Sequence, residues 1–401
     1  MLFRNPNKAL SSSAALRFVG ADAPAAVKVF LSQCAVYKPT PLHALRGLAA
    51  KLGVGCIYYK DESQRLNLQS FKALGGVYAI MEIVRRRARA NLYREIAPAN
   101  LLDDDVRAVS RGMTFICASD GNHGRSVAAG AKLVGSHCVV LVHEGVSETR
   151  VQRIRDLGAD VQRTPGTYDQ SVEQAREAAA ENGWFLISDT AANDGDEIPG
   201  LIMRGYTVIA DEMLAQLAHA GTAPTHIFVQ AGVGGLAAAS AGHLVARMGA
   251  KAPRFIVVEP EHAACLFESA RNGRAVEIEY NQSTLYGMLE CNRPSLLAWK
   301  ILDQCSDFFM TVADEMAGAA MRGLAFPESM DAPVVAGESG AAGLAGLMTA
   351  CATRKHRDAL ELSLDSVVLL IGTEGATDPA MFERLVGVSP DRIGIDHNSD
   401  N

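Results

Sequence analysis

The sequence lacks the marks of several common site classes. Its eight cysteines never stand as C-x-x-C, so neither a zinc ribbon nor a thioredoxin-like pair is signalled. No metal signature appears, and no metal is expected. A Walker A ending in GK[ST] is missing, and no G-x-G-x-x-G stands where a dinucleotide would need it. There is no Lys/Arg-rich block with interleaved aromatics, and the formal net charge is −7. Both argue against a nucleic-acid partner. The one basic run, RRRAR at Arg85–Arg89, ends a helical pattern, where cations are favoured, and reads as a solvated helix end. The N-terminal stretch is basic and acid-free but has no apolar core of a secretory signal. The longest apolar run, residues 227–246, is about long enough to span a membrane. Its glycines, Gln230 and His243 argue instead for strand, tight loop and helix. With the cysteines read as free, buried thiols, the expectation is a cytoplasmic enzyme with no membrane partner.

Aromatics are few, whereas alanine and glycine are plentiful, which suits helices packed tightly on a parallel sheet. The 401 residues are too many for one small core and enough for two domains. From Phe115 onward, short apolar runs alternate with amphipathic stretches. FICA (115–118), HCVVLV (137–142), ADVQRT (159–164), WFLIS (184–188), HIFVQ (226–230), RFIVVEP (254–260) and SVVLLIG (366–372) read as strands. Residues 124–135, 147–158, 168–183, 200–220 and 234–248 read as helices. Strands separated by helices of this length form parallel βαβ units, and the fold class is α/β. The irregular, charged stretch 89–112 suggests a domain boundary.

The stretch KDESQRLNLQSFKALGG, Lys60 to Gly76, raises a question of its own. Ser70 is placed as a helix N-cap, which puts Lys72 in the first helical turn. A helix N-terminus repels a cation by roughly 0.3–1 kcal/mol, so this is an odd place for a structural lysine.

Three strand-end loops accompany it. In VQAGVGGLAAA (229–239) a strand ends, glycines follow and a helix begins, as in an anion cradle built from backbone amides. A plain tight turn would look the same. ASDGNHGRS (118–126) packs Asp120, Asn122 and His123 where helix amides face a ligand, although capping and local loop bonds are the ordinary use of such groups. LIGTEGATD (370–378) is the third. In α/β sheets ligands bind at the carboxyl ends of strands. A lysine and a phosphate cradle without metal or nucleotide marks point to pyridoxal phosphate, whose aldehyde forms a Schiff base with a lysine amine. A neutral imine is tolerated at a helix N-terminus better than an ammonium.

These motifs resemble those of the fold type II pyridoxal-phosphate enzymes, the family of threonine dehydratase, serine racemase and the sulfhydrylases. The resemblance rests on KPTPL (38–42), KDESQRLNLQSFKALGG, SDGNHG, AGVGGLAA and ESGAAGLA (338–345), in family order over about residues 35–375. It implies two open, mostly parallel sheets with flanking helices and an interdomain cleft. Residues 1–85 and 190–401 would form the large cofactor domain, and 86–189 a smaller mobile one. Within the family three features are similar to the ammonia-lyases acting on 2,3-diaminopropionate. Asp120 stands where dehydratases usually have Ser, SDTA (188–191) carries Asp189, and the last loop reads TEG-x-TD.

The roles implied are these. Lys72 is the Schiff-base lysine, next to Phe71. Asn122 holds the phenolic oxygen of the cofactor. Gly232, Val233, Gly234, Gly235 and Leu236 hold its phosphate. Asp120 is an acid/base group, and Asp189 helps place it or the substrate amine. Ser119, Asp120 and His123 line the amino-acid substrate. The family usually sets a hydroxyl residue opposite the pyridine nitrogen; the aligned position is Gly372, and Thr373 is the substitute. Cys265 and Cys291 flank a region near the site, with two free thiols as the expectation. The implied reaction is α,β-elimination of D- and L-2,3-diaminopropionate to pyruvate and ammonia, by a homodimer. The alternatives are a serine/threonine dehydratase and a non-catalytic amino-acid sensor.

Overall fold

A computed structural model describes residues 1–9, 14–119, 121–193, 195–279, 282–328 and 331–394. The strands are β1 (Leu2–Arg4), β2 (Leu42–Ala44), β3 (Cys56–Asp61), β4 (Thr114–Ala118), β5 (His137–His143), β6 (Asp160–Thr164), β7 (Phe185–Leu186), β8 (His226–Gln230), β9 (Arg254–Pro260), β10 (Phe308–Val312) and β11 (Val367–Gly372). Seven form one sheet, in the order β1-β10-β9-β8-β11-β3-β2, and four form another, β6-β5-β4-β7. The edge strands β1 and β2 of the first sheet run antiparallel to their neighbours, and its inner pairs are parallel. The second sheet is wholly parallel. This is the expected α/β architecture with two open sheets. Its inner strands are mostly apolar, as in a parallel sheet covered on both faces; β8 and β10 are buried at every residue.

The strands read from residue 115 onward are present, although WFLIS shortens to Phe185–Leu186. The apolar run 227–246 divides into β8 and the helix Gly235–Met248, as its glycines required. No described helix is long and apolar enough to cross a membrane. In the run Arg85–Arg89, Arg85 and Arg86 pair with Glu82 at 2.8 and 2.7 Å, on a helix that ends at Leu92.

The chain packs into two units, one from residues 1–21, 39–64 and 209 onward, the other from 22–38 and 65–208. The expected boundary at 85/86 would cut the continuous helix Lys72–Leu92. That helix packs within the smaller unit, where the Ser126 hydroxyl donates to Lys72 O at 2.7 Å and a Cβ on Gly76 would collide with Ser126. Residues 22–38 join the same unit, with Phe30 edge-on to Tyr78 at 5.4 Å. Residues 190–208 follow because the Tyr206 ring fills the space a Cβ on Gly75 would need, 2.6 Å away.

The larger unit buries a charged set. Lys60 is fully buried, and its Nζ donates to Thr40 O (2.8 Å) and Gln216 Oε1 (2.9 Å) and pairs with Glu212 Oε2 at 2.8 Å. The Thr40 hydroxyl donates to Glu62 Oε1 at 2.7 Å. So the charged opening of KDES, joined to Thr40 of KPTPL, anchors β3 within its own unit.

Candidate active site

Lys72 is the first residue of its helix. The N-cap is Phe71, not Ser70 as expected, and among the described residues no side chain caps the helix there; Ser70 stands one residue earlier, its hydroxyl accepting from Lys72 N at 3.4 Å and its carbonyl from Ala73 N. The segment leading in is strained: Leu66, Asn67 and Gln69 hold φ of 49°, 58° and 58° without being glycine.

The awkward position of the lysine has a local answer. Lys72 Nζ lies 2.5 Å from Asp189 Oδ2, on the segment just after β7. Burial alone would raise the Asp189 carboxyl, but the adjacent Lys72 ammonium outweighs it and, with His123, holds that carboxyl well below the usual range. The negative charge offsets what the helix terminus does to the lysine.

His123 lies in the first turn of the helix Asn122–Val134. It is buried, its Nε2 meets Ile187 O at 2.8 Å, and Nδ1 has no partner among the described residues. A carbonyl can only accept, so Nε2 carries the hydrogen and Nδ1 presents a lone pair. Burial lowers the His123 pKa, and Asp189 partly opposes that. Asn122 is buried at the start of the same helix. Ser119 is given to the loop: its hydroxyl accepts from Gly121 N (3.0 Å) and Gly124 N (2.7 Å). Phe71 packs at a tilt against Tyr206 with centroids 4.8 Å apart, and Lys72 Nζ sits 5.7 Å from the Phe71 centroid. Tyr206, whose buried hydroxyl has no partner among the described residues, carried no sequence signal, being one aromatic in a long helix. Asp120 lies outside the described residues.

In the larger unit β8 ends at Gln230, and Gly232, Val233 and Gly234 lead into the helix Gly235–Met248. Among the described residues no side chain caps that helix, so its first amides are left for another acceptor. Gly234 has φ +100°, and a Cβ there would press on Leu266, Leu302 and Ala298 at 3.2–3.3 Å. The Val233 carbonyl is tied down by Ser295 N at 3.0 Å, and Leu236 is buried. Cys265 and Cys291 are free thiols on either side of Gly232. Cys265 Sγ is 3.8 Å from Gly232 O, and a Cβ on Gly232 would stand 2.9 Å from Cys291 Sγ.

At the end of β11, a Cβ on Gly372 would run into the Tyr59 ring, which explains the departure from a hydroxyl residue there. Thr373 is buried, and its Oγ1 lies 3.1 Å from Gln230 Nε2. Gln230 was legible only as a lone polar residue closing an apolar strand.

An uncapped helix N-terminus behind a glycine turn suits a phosphate, and a carboxylate-paired lysine opening a helix suits an aldehyde. The chain belongs to the pyridoxal-phosphate dependent enzymes, whose family model matches residues 35–374. It is similar to the diaminopropionate ammonia-lyase of Escherichia coli strain K12, 37% identical over 89% of each chain. The solved holo form of the Escherichia coli diaminopropionate ammonia lyase superposes with a TM-score of 0.87 at 34% identity, covering 96% of both chains. The same enzyme in complex with D-serine gives the same TM-score, identity and coverage. Within its family the chain groups with the diaminopropionate ammonia-lyases.

Proposed function

We propose that this chain eliminates the β-amine of 2,3-diaminopropionate, accepting D and L forms, to give pyruvate and ammonia. The observation that carries the reading is the 2.5 Å pair of Lys72 and Asp189 at a helix N-terminus, beside a buried His123 whose Nδ1 has no partner among the described residues. Pyridoxal phosphate, when bound, supplies the electron sink. Lys72 would hold its aldehyde, Asn122 its phenolic oxygen, the amides from Gly232 to Leu236 its phosphate, and Thr373 its ring nitrogen. The Lys72 amine would be the base that takes the Cα proton of the substrate. Asp189, kept ionised, orients that amine or the substrate ammonium through a charge-assisted hydrogen bond. His123 Nδ1 offers the substrate an acceptor, and Ser119 holds the loop that presents Asn122 and His123. Asp120 is assigned the second acid/base role from the sequence motif. The homodimer and the cytoplasmic location belong to the same reading. Sedimentation should give a species near twice the chain mass.

Ammonia and pyruvate release from D- and L-diaminopropionate, serine and threonine tests the assignment. Turnover of both diaminopropionates is expected. Silence on these with good turnover of serine or threonine would make the chain a dehydratase. Silence on every substrate by protein carrying the cofactor would favour the sensor.

A further inference from the structure

Gln230 is an unusually connected side chain. Its Nε2 lies 2.9 Å from Ile371 O, 3.0 Å from Ser339 O, 3.1 Å from Thr373 Oγ1 and 3.2 Å from Gly340 O, and the residue is 2% exposed. Three backbone carbonyls fix the orientation of the amide, because a flipped amide would turn its oxygen on all three. Nε2 has two hydrogens to share among these four acceptors and can only donate, so in its contact with Thr373 Oγ1 the hydroxyl oxygen is the acceptor and the hydroxyl proton points elsewhere. Among the described residues nothing takes it. Thr373 is 4% exposed, too buried to hand the proton freely to water. Gly372 offers no rival hydroxyl, since the Tyr59 ring occupies the place of its side chain.

We infer that Gln230 is a positioning residue that makes the Thr373 hydroxyl a one-way hydrogen-bond donor toward the ring nitrogen of the cofactor. The inference rests on the reading above that Thr373 faces that nitrogen. An alcohol donates a hydrogen bond without giving up its proton, so the nitrogen stays uncharged. Without the Gln230 amide, the carbonyls of Ile371 and Ser339 lose this donor, Gly340 O keeps the Tyr59 hydroxyl at 3.3 Å, and the Thr373 hydroxyl would turn toward one of the first two. The cofactor contact is then lost although Thr373 itself is unchanged.

The test is a double-mutant cycle on cofactor affinity: apoprotein titrated with pyridoxal phosphate, with the absorbance maximum of the bound cofactor as second readout. Thr373→Val should weaken binding about 10-fold and shift the maximum, as expected for one lost hydrogen bond. Gln230→Met should weaken binding by about 5- to 10-fold with a similar shift, yet by less than about 2-fold when introduced into Thr373→Val. If Gln230→Met fails to fold, the nearly isosteric Gln230→Glu takes its place with the same expectation. Independent, additive effects of the two substitutions would overturn the positioning role. Unchanged affinity in Thr373→Val would instead overturn the assignment of Thr373 to the ring nitrogen.

Discussion

The amine of Lys72 stands 2.5 Å from the carboxylate of Asp189, and this pair reconciles a lysine with the first turn of a helix. The two come from distant parts of the chain, one opening the helix Lys72–Leu92 and the other following β7, and both belong to the smaller unit.

Asp189→Asn removes the charge and nearly keeps the shape. It should cost about 10²-fold or more in kcat/KM, the scale of a catalytic acid–base group, and about 1.5–3 kcal/mol of stability near pH 7. The sign follows from the depressed pKa: the folded form binds fewer protons than the unfolded one, so the stabilisation is present above about pH 4 and fades as pH falls below it. Melting curves of wild type and variant should therefore converge in acid. A gap that widens with acidity would mean that Asp189 is not stabilised as a carboxylate.

Gly234→Val places a β-branched residue at φ +100° with its Cβ against Leu266, Leu302 and Ala298. Any relief moves the backbone of the proposed phosphate loop. Titration of the folded apoprotein should show cofactor affinity down by at least an order of magnitude, about 1.4 kcal/mol. Unchanged affinity would reduce the loop to a plain strand-to-helix turn.

Lys60→Met strands the buried Glu212 carboxylate. Loss of about 3–5 kcal/mol is expected, seen in denaturant or thermal unfolding. Lys60→Met with Glu212→Leu should recover most of it, because the carboxylate that lost its cation is removed as well. A double variant as unstable as the single one would show that the Lys60 contacts to Thr40 and Gln216, not charge balance, anchor the strand.

Asp120→Asn separates the substrate enantiomers. Lys72 would take the Cα proton of one enantiomer, and a base for the mirror-image proton must come from the opposite side. The D-substrate should lose about 10²-fold or more in kcat/KM, and the L-substrate less. Equal losses would make Asp120 a shared acid or a substrate-positioning group.

Much of this was legible because local chemistry and global fold agree. Strands such as HIFVQ and RFIVVEP have apolar centres closed by polar residues, by the glycine loop after Ala231 or by Pro260, so their bounds were readable to the residue. Lys72 stood out because it violated a helix rule, and such violations concentrate at sites. β10 (FFMTV), apolar apart from Thr311, has no glycine loop beside it to mark it. The unit boundary was misplaced because it depends on which helices Gly75 and Gly76 let approach, and periodicity does not carry that information. The Thr373–Gln230 contact joins residues 143 positions apart and leaves no local trace.

The central claim is that Lys72 carries the cofactor. Borohydride reduction of the protein loaded with pyridoxal phosphate, followed by peptide mass mapping, tests it most directly. The account predicts a stable pyridoxyl group on Lys72 and no such adduct in Lys72→Ala, which should still retain some cofactor through the phosphate loop. A pyridoxyl group on any other lysine would contradict it.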